Sequence, residues 1–285
     1  MTEIRVATRR SPLALAQARW VGERLLAAHP GVAITFREVS TTGDLDRRSS
    51  VSSLTEVGAF VRAVQFAVID GDADVAVHSC KDLPVDGPPE LVAVYPEREA
   101  PWDVLCGSTL DRIPPGGRVG TGSPRRAAQL KWMRPDLEVV DIRGNVETRL
   151  GMVAAGDYAA VVLAEAGLRR IGEERAVAQR FTLREMVPAP GQAALAVEAR
   201  ADTAAASLIA AIEHRPTSIT VAAEREVLAV TGAGCRAALG AFAQVVESGV
   251  TIIGFVEDDR GPRRAEATAQ DGAAAAARLQ EALAL

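Results

Sequence analysis

Thr121-Gly122-Ser123-Pro124-Arg125-Arg126 follows a strand-like segment at 118–120, just as Thr8-Arg9-Arg10-Ser11-Pro12 follows one at 4–7. Each segment ends in a Thr and reaches Ser-Pro at the head of a helical stretch. Ser is a favoured N-cap, and Pro suits the first helical position. The free N–H groups and positive dipole end of such a helix point at whatever lies above the strand end. Two strand–turn–helix units of one design predict two similar lobes.

The neighbouring segments keep the alternation. Strands are predicted at 4–7, 32–36, 75–77 and 91–95, with helices at 13–26 and 60–69. After the break Glu99-Ala100-Pro101, strands at 118–120, 137–142 and 158–163 alternate with helices at 124–133, 146–155 and 165–171. This is an α/β pattern. Beyond Pro188-Ala189-Pro190-Gly191-Gln192 it changes: a strand at 193–197, helices at 204–212 and 217–230, then strands at 239–246, 250–256 and 265–269 before an Ala-rich helix at 272–283. A separate C-terminal α+β domain is expected from about Pro216.

Charge narrows the ligand. The 285 residues carry a net charge of -5, yet 30 of the 32 basic residues are Arg, and several crowd into turns, including Arg143-Gly144-Asn145-Val146-Glu147-Thr148-Arg149. An acidic body with 4% aromatic residues lacks the broad basic face and stacking platforms of a nucleic-acid binder. Planar guanidinium forks suit carboxylates or phosphates. The expected partner is a small polyanion, held by two anion sites that face each other across a cleft. For either turn alone, a plain helix cap with solvated arginines is the competing reading.

Cysteines (Cys80, Cys106, Cys235) and histidines (His29, His78, His214) are three each and widely spaced, so no disulfide framework or metal site is expected. No apolar stretch is long enough to span a membrane, and the N-terminus lacks a signal-peptide core. A soluble, cytoplasmic protein is expected.

Two residues stand out for chemistry. Asp82 lies in Val75-Ala76-Val77-His78-Ser79-Cys80-Lys81-Asp82-Leu83-Pro84, straight after a buried-type strand, where open α/β sheets bind ligands. Ionised, it steadies a developing positive charge and shuttles a proton; the alternative is a turn that merely precedes Pro84. Cys235 follows Thr231-Gly232-Ala233-Gly234 and precedes Arg236, which favours thiolate. The alternative there is an inert thiol.

Together these segments, with Ala166-Gly167-Leu168-Arg169-Arg170 and Gly234-Cys235, resemble the porphobilinogen deaminase (hydroxymethylbilane synthase) family over essentially the full chain. The resemblance implies two periplasmic-binding-protein-like lobes with mixed sheets plus a small C-terminal domain. The implied boundaries are 1–96 with 194–213, 97–193, and 214–285. It implies a dipyrromethane cofactor joined to Cys235 through a thioether, and a monomer with no nucleic-acid or membrane partner. Porphobilinogen units are added one by one with loss of ammonia, and hydrolysis frees a linear tetrapyrrole. Asp82 matches the family's catalytic aspartate. Arg9, Ser11, Arg143 and Arg149 fall where the family holds substrate. Lys81, Thr121, Ser123, Arg125, Arg126, Arg149 and Arg170 fall where it holds cofactor.

There are departures. Many members have Lys-Gly-x-Phe-x-Lys-Glu where this chain has Val57-Gly58-Ala59-Phe60-Val61-Arg62-Ala63, a segment expected to cover the cleft. Ala193 replaces a Gly, and Ala238 stands where Pro often follows the cysteine. Neither of the last two changes removes a reacting group. A bilobed binding module without catalysis is the competing class, and it needs neither Asp82 nor Cys235.

Overall fold

Val75-Ala76-Val77-His78 is buried throughout, as an uninterrupted apolar strand is when helices cover both faces of its sheet. The computed structural model describes residues 2–39, 55–231 and 238–285. Chain order begins with β1 (Thr2–Arg9), α1 (Pro12–Ala28), β2 (Val32–Val39), α2 (Thr55–Ile69), β3 (Val75–Ser79), β4 (Leu91–Val94) and β5 (Asp103–Cys106). It continues through β6 (Arg118–Gly120), α3 (Pro124–Met133), β7 (Glu138–Val140), α4 (Val146–Ala154), β8 (Ala160–Ala164), α5 (Glu165–Arg170) and β9 (Val177–Arg180). Then come β10 (Leu195–Arg200), α6 (Ala204–Ala210), α7 (Arg215–Ala229), β11 (Ala238–Val246), β12 (Gly249–Asp258), β13 (Gly261–Ala269) and α8 (Gly272–Leu283). No helix among the described residues is long and apolar enough to cross a membrane.

The chain forms two units, Met1–Arg98 with Ala194–Ser218, and Glu99–Ala193 with Ile219–Leu285. Each contains a five-stranded mixed sheet, ordered β2-β1-β3-β10-β4 in the first and β7-β6-β8-β5-β9 in the second. The plan is the same. In both, the first three strands are parallel and the fourth is antiparallel to both its neighbours. The odd strand is in each case the one the chain supplies on crossing from the other unit: β10 returns to the first, and β5 opens the second.

Strand periodicity divides the first core in two. Val75 and Val77 pack with Val21 and Leu25 of α1, whereas Ala76 packs with Val64 and Val68 of α2. In the second sheet, Val119, Leu105, Val162 and Leu130 of α3 form one layer, and Val104, Val161, Leu163 and Leu168 form the other.

The third sheet is the antiparallel meander β11-β12-β13, covered by α8 through Ala275, Ala276, Leu279 and Leu283. Asp271 caps that helix by accepting the Ala274 N–H at 2.8 Å. Gly254 lets α8 approach closely, since a Cβ there would lie 2.7 Å from Leu283 Cδ1. Within the second unit the meander is tied to the lobe by buried Glu224 of α7, which accepts the N–H groups of Gly191 at 2.7 Å and Ala243 at 2.8 Å.

Two strands, β5 and β9, were not predicted from the sequence. β5 has only four residues and begins with Asp103, a carboxylate that is fully buried; β9 alternates half-buried and exposed residues. β10 starts at Leu195 rather than 193, because Ala193 turns into the left-handed region at φ 70°. That conformation costs an L-residue roughly 1–2 kcal/mol. Ala193→Gly is therefore expected to raise the unfolding free energy by roughly 1 kcal/mol, read from chemical denaturation; no gain would show that the turn is unstrained.

Candidate active site

β1 and β3 run parallel, so the residues after each strand meet at one edge of the first sheet. The predicted cap forms there: Ser11 Oγ accepts the Ala14 N–H at 3.2 Å, with Pro12 opening α1. Asp82 ends a single 3-10 turn, Cys80–Asp82, directly after β3. Lys81, beside it in the turn, is half-buried. The pocket at this edge is lined by Arg9, Ser11, Phe60, His78, Ser79 and Asp82, among others. The Arg9 guanidinium carbon lies 4.1 Å from the Phe60 ring centroid, and its buried Nε has no hydrogen-bond partner among the described residues. An unpaired buried donor costs on the order of 1–3 kcal/mol. The pocket is thus suited to an incoming acceptor such as a carboxylate.

Arg10 does not join Arg9. It is exposed and pairs with Glu38 at 3.2 Å, because successive residues at the end of a strand point to opposite faces. Residues 57–63, expected as a cover, lie in the first half of α2, and Phe60 and Val61 line the pocket.

The second unit repeats the arrangement at the C-terminal ends of parallel β6, β7 and β8. Ser123 caps α3 by accepting the Arg126 N–H at 3.4 Å, and Thr121 Oγ1 accepts the Ser123 N–H at 3.2 Å. Asn145 caps α4 through the Thr148 N–H at 2.9 Å. Gly144, at φ +105°, makes the turn that sets Arg143 before that cap, and its carbonyl accepts Arg149 Nε at 2.9 Å. Arg143 itself is exposed and pairs with Asp141 at 2.9 Å.

Arg125 and Arg126 are not solvated. They are 3% and 6% exposed and share one carboxylate, Asp103: Arg125 Nη1 at 2.7 Å from Oδ2, Arg126 Nη2 at 2.7 Å from Oδ1. Their remaining contacts include the carbonyls of Val187 at 2.6 Å and Val162 at 3.0 Å. Burial alone would raise the Asp103 carboxyl, but the two guanidinium groups hold it down at about 2. Two cations on one anion leave a positive charge, and Arg125 Nε is buried without a hydrogen-bond partner among the described residues. Burial pushes Arg149 below the usual guanidinium range, and repulsion from Arg126 and Arg143 adds to it against the pull of Asp141. Arg170, 8% exposed at its side chain, donates to the Ala193 carbonyl at 2.7 Å and lies 3.5 Å from Glu99. The residues fit a group bearing several carboxylates.

Cys80 and Cys106 are buried and outside any disulfide, and burial pushes the Cys106 thiol up to about 11, against the pull of Arg126. Neither is a candidate nucleophile. Cys235 lies outside the described residues. Asp103, whose place in Pro101-Trp102-Asp103 gives no sign of burial, and Glu198, which lies 3.1 Å from His78, are functional candidates that the sequence does not signal.

Removing Asp103 would leave two buried guanidinium groups uncompensated. Asp103→Asn is expected to lower stability by about 3–5 kcal/mol, measured by denaturant unfolding. Because the folded value lies below 3.8, the wild-type contribution is present above that pH and disappears as the pH falls toward 2. It amounts to about 2 kcal/mol. An acid-unfolding profile unchanged by the substitution would refute this.

The family model described as "Porphobilinogen deaminase, dipyromethane cofactor binding domain" matches residues 4–207. Similar proteins include the porphobilinogen deaminases of Thermobifida fusca (45% identity; 96% of this chain, 84% of that protein) and Xylella fastidiosa (40%; 95% and 92%). That of Acidothermus cellulolyticus is 43% identical (92% and 81%). Among solved structures, the LysR-family regulator CbnR (10% identity; 76% of this chain, 70% of that chain) has a TM-score of 0.45, a likeness that carries no functional argument. With the model matched over more than half its length and relatives at this identity over nearly all of it, the chain belongs to the porphobilinogen deaminase family, transferases that build hydroxymethylbilane on a dipyrromethane cofactor.

Proposed function

We propose that Asp82, Cys235 and the turn arginines carry the family's reaction in this chain. That reaction condenses four porphobilinogen molecules head to tail, with loss of ammonia, and ends in hydrolytic release of the linear tetrapyrrole. The bound dipyrromethane supplies the free α-carbon to which the first substrate ring is joined. In this reading, Cys235 is its thioether anchor, and Lys81, Thr121, Ser123, Arg125, Arg126, Arg149 and Arg170 hold its acetate and propionate groups. Arg9, Ser11, Arg143 and Arg149 hold the side chains of the incoming substrate.

The observation that carries the reading is that Asp82 shares one pocket with Arg9 and Ser11. Loss of ammonia from porphobilinogen leaves a positive charge spread over the pyrrole ring and its N–H. A carboxylate fixed beside that N–H stabilises the charge as it develops, with no solvent to reorganise. Arg9, whose Nε is already desolvated, pairs with a substrate carboxylate and fixes the ring's orientation against Asp82. The unneutralised charge on Arg125 and Arg126 does the same for the growing chain.

The reading also takes the enzyme as a cytoplasmic monomer with no nucleic-acid or membrane partner, in keeping with its net charge of -5. It divides the chain into 1–96 with 194–213, 97–193, and 214–285.

Asp82→Asn is expected to lower kcat by about 100-fold or more while KM for porphobilinogen changes little; near-normal turnover would remove Asp82 from its role. Cys235→Ser should give an intact mass equal to the bare polypeptide. A retained covalent adduct would place the anchor elsewhere.

A further inference from the structure

On β3, Ala76 and His78 share one face, and the antiparallel register sets His78 against Ala196 and Ala76 against Glu198. Glu198 is therefore the diagonal neighbour of His78 on that face. α2 covers it and adds Gln65. All three are buried, at 6%, 5% and 2% exposure. His78 Nε2 lies 3.1 Å from Glu198 Oε2, near enough for the carboxylate's charge to act on it, and makes no hydrogen bond among the described residues. Gln65 Nε2 donates to both Glu198 oxygens, at 3.1 and 3.0 Å, and fixes the carboxylate.

No role assigned so far uses this cluster, and a buried ionic contact is by itself weak evidence for stability. His78 also lines the pocket that holds Asp82 and Arg9. The groups around the ring are Glu198 on β10 and Gln65 on α2, with Arg9 ending β1, Asp82 in the turn after β3, and neutral Gln17 on α1 at the same pocket.

We propose that His78, oriented by Glu198, is a second proton-transfer group of this pocket; the inference rests on condensation taking place beside Asp82. Each condensation breaks the substrate's C–N bond, releasing ammonia, and forms a C–C bond at a pyrrole α-carbon. The C–H bond at that carbon must then break, its electron pair returning to the ring and its proton passing to a base. A single carboxylate cannot hold that proton and remain the anion facing a cationic ring. Two groups in different environments divide such tasks. The Glu198 charge favours a proton on Nε2, so Nδ1 is the nitrogen that takes the proton from carbon. It passes the proton to the released ammonia, which leaves as ammonium, and no oxidant or reductant is required.

The test uses His78→Gln and Glu198→Gln holoenzymes with porphobilinogen as substrate. H78Q is expected to lower kcat about 100-fold with KM within about twofold, and to change the shape of the pH profile of kcat. E198Q is expected to lower kcat about tenfold. Turnover of H78Q within about twofold of wild type, with a superimposable pH profile, would overturn the proposal. A second readout needs neither turnover nor a folded H78Q. The chain has three histidines, so the imidazole nitrogens of the wild-type protein can be resolved by 15N NMR. His78 should carry its proton on Nε2 and lose that preference in E198Q; a ring protonated on Nδ1 and insensitive to E198Q contradicts the proposal even if Asp82 keeps its role.

Discussion

The pairing of one buried carboxylate, Asp103, with two buried guanidinium groups organises the second unit. Asp103 begins β5, the strand that the chain contributes on crossing from the first unit, and Arg125 and Arg126 open α3. Their other donors reach the Val162 carbonyl on β8 and the Val187 carbonyl before the next crossing. One charge cluster thus fixes β5, α3, β8 and the 187–192 turn together. Hydrophobic contacts could hold these elements, but none would set the register of β5 against its neighbours so sharply. Shifting β5 by one residue would turn Asp103 to the opposite face and strand two cations.

The same cluster gives a net-acidic protein a place where positive charge is left over. A carboxylate that neutralised each arginine in full would leave a stable core and an inert turn. Asp103 neutralises only one charge of two, and Arg149 is crowded by Arg126 and Arg143. On the proposed assignment, a carboxylate entering here would relieve that repulsion, so binding and the relief of a folding cost would come from the same contact. This suits a reaction whose product gains two carboxylates with every ring, since each added pair can be met by donors already in place.

Local signals made much of this legible in the sequence. The Ser-Pro caps, the turns that follow β1 and β6 and the turn before Arg149 depend on residues within a few positions of one another. Their structure follows from backbone chemistry that a short window contains. Asp103 and Arg125 are far apart in the chain, and His78 and Glu198 farther still, so no periodicity could pair them. A charged residue at the head of a four-residue run reads as a turn, which is why β5 went unseen. Arg10 failed for the opposite reason: clustering in sequence suggested clustering in space, but strand alternation sends neighbours to opposite sides. The resemblance to the family supplied Cys235 and its thioether, which composition and spacing leave open.

Arg170, assigned above to cofactor binding as a proposal, also has a structural place. It is nearly buried and holds the Ala193 carbonyl, whose residue carries the strained left-handed φ, while its Nε lies near Glu99. Those are the last and first residues of the segment between two crossings of the chain. Gln192 makes a parallel tie, donating to the Pro101 carbonyl at 2.6 Å. The two ends of the segment are thereby fastened to the same lobe. An arginine so placed cannot swing to follow a ligand, and any carboxylate it meets must come to it. Arg143, exposed and paired with exposed Asp141, is placed differently. On the proposed assignment a lengthening polyanion would meet both kinds, a fixed, buried donor such as Arg170 and an exposed one such as Arg143.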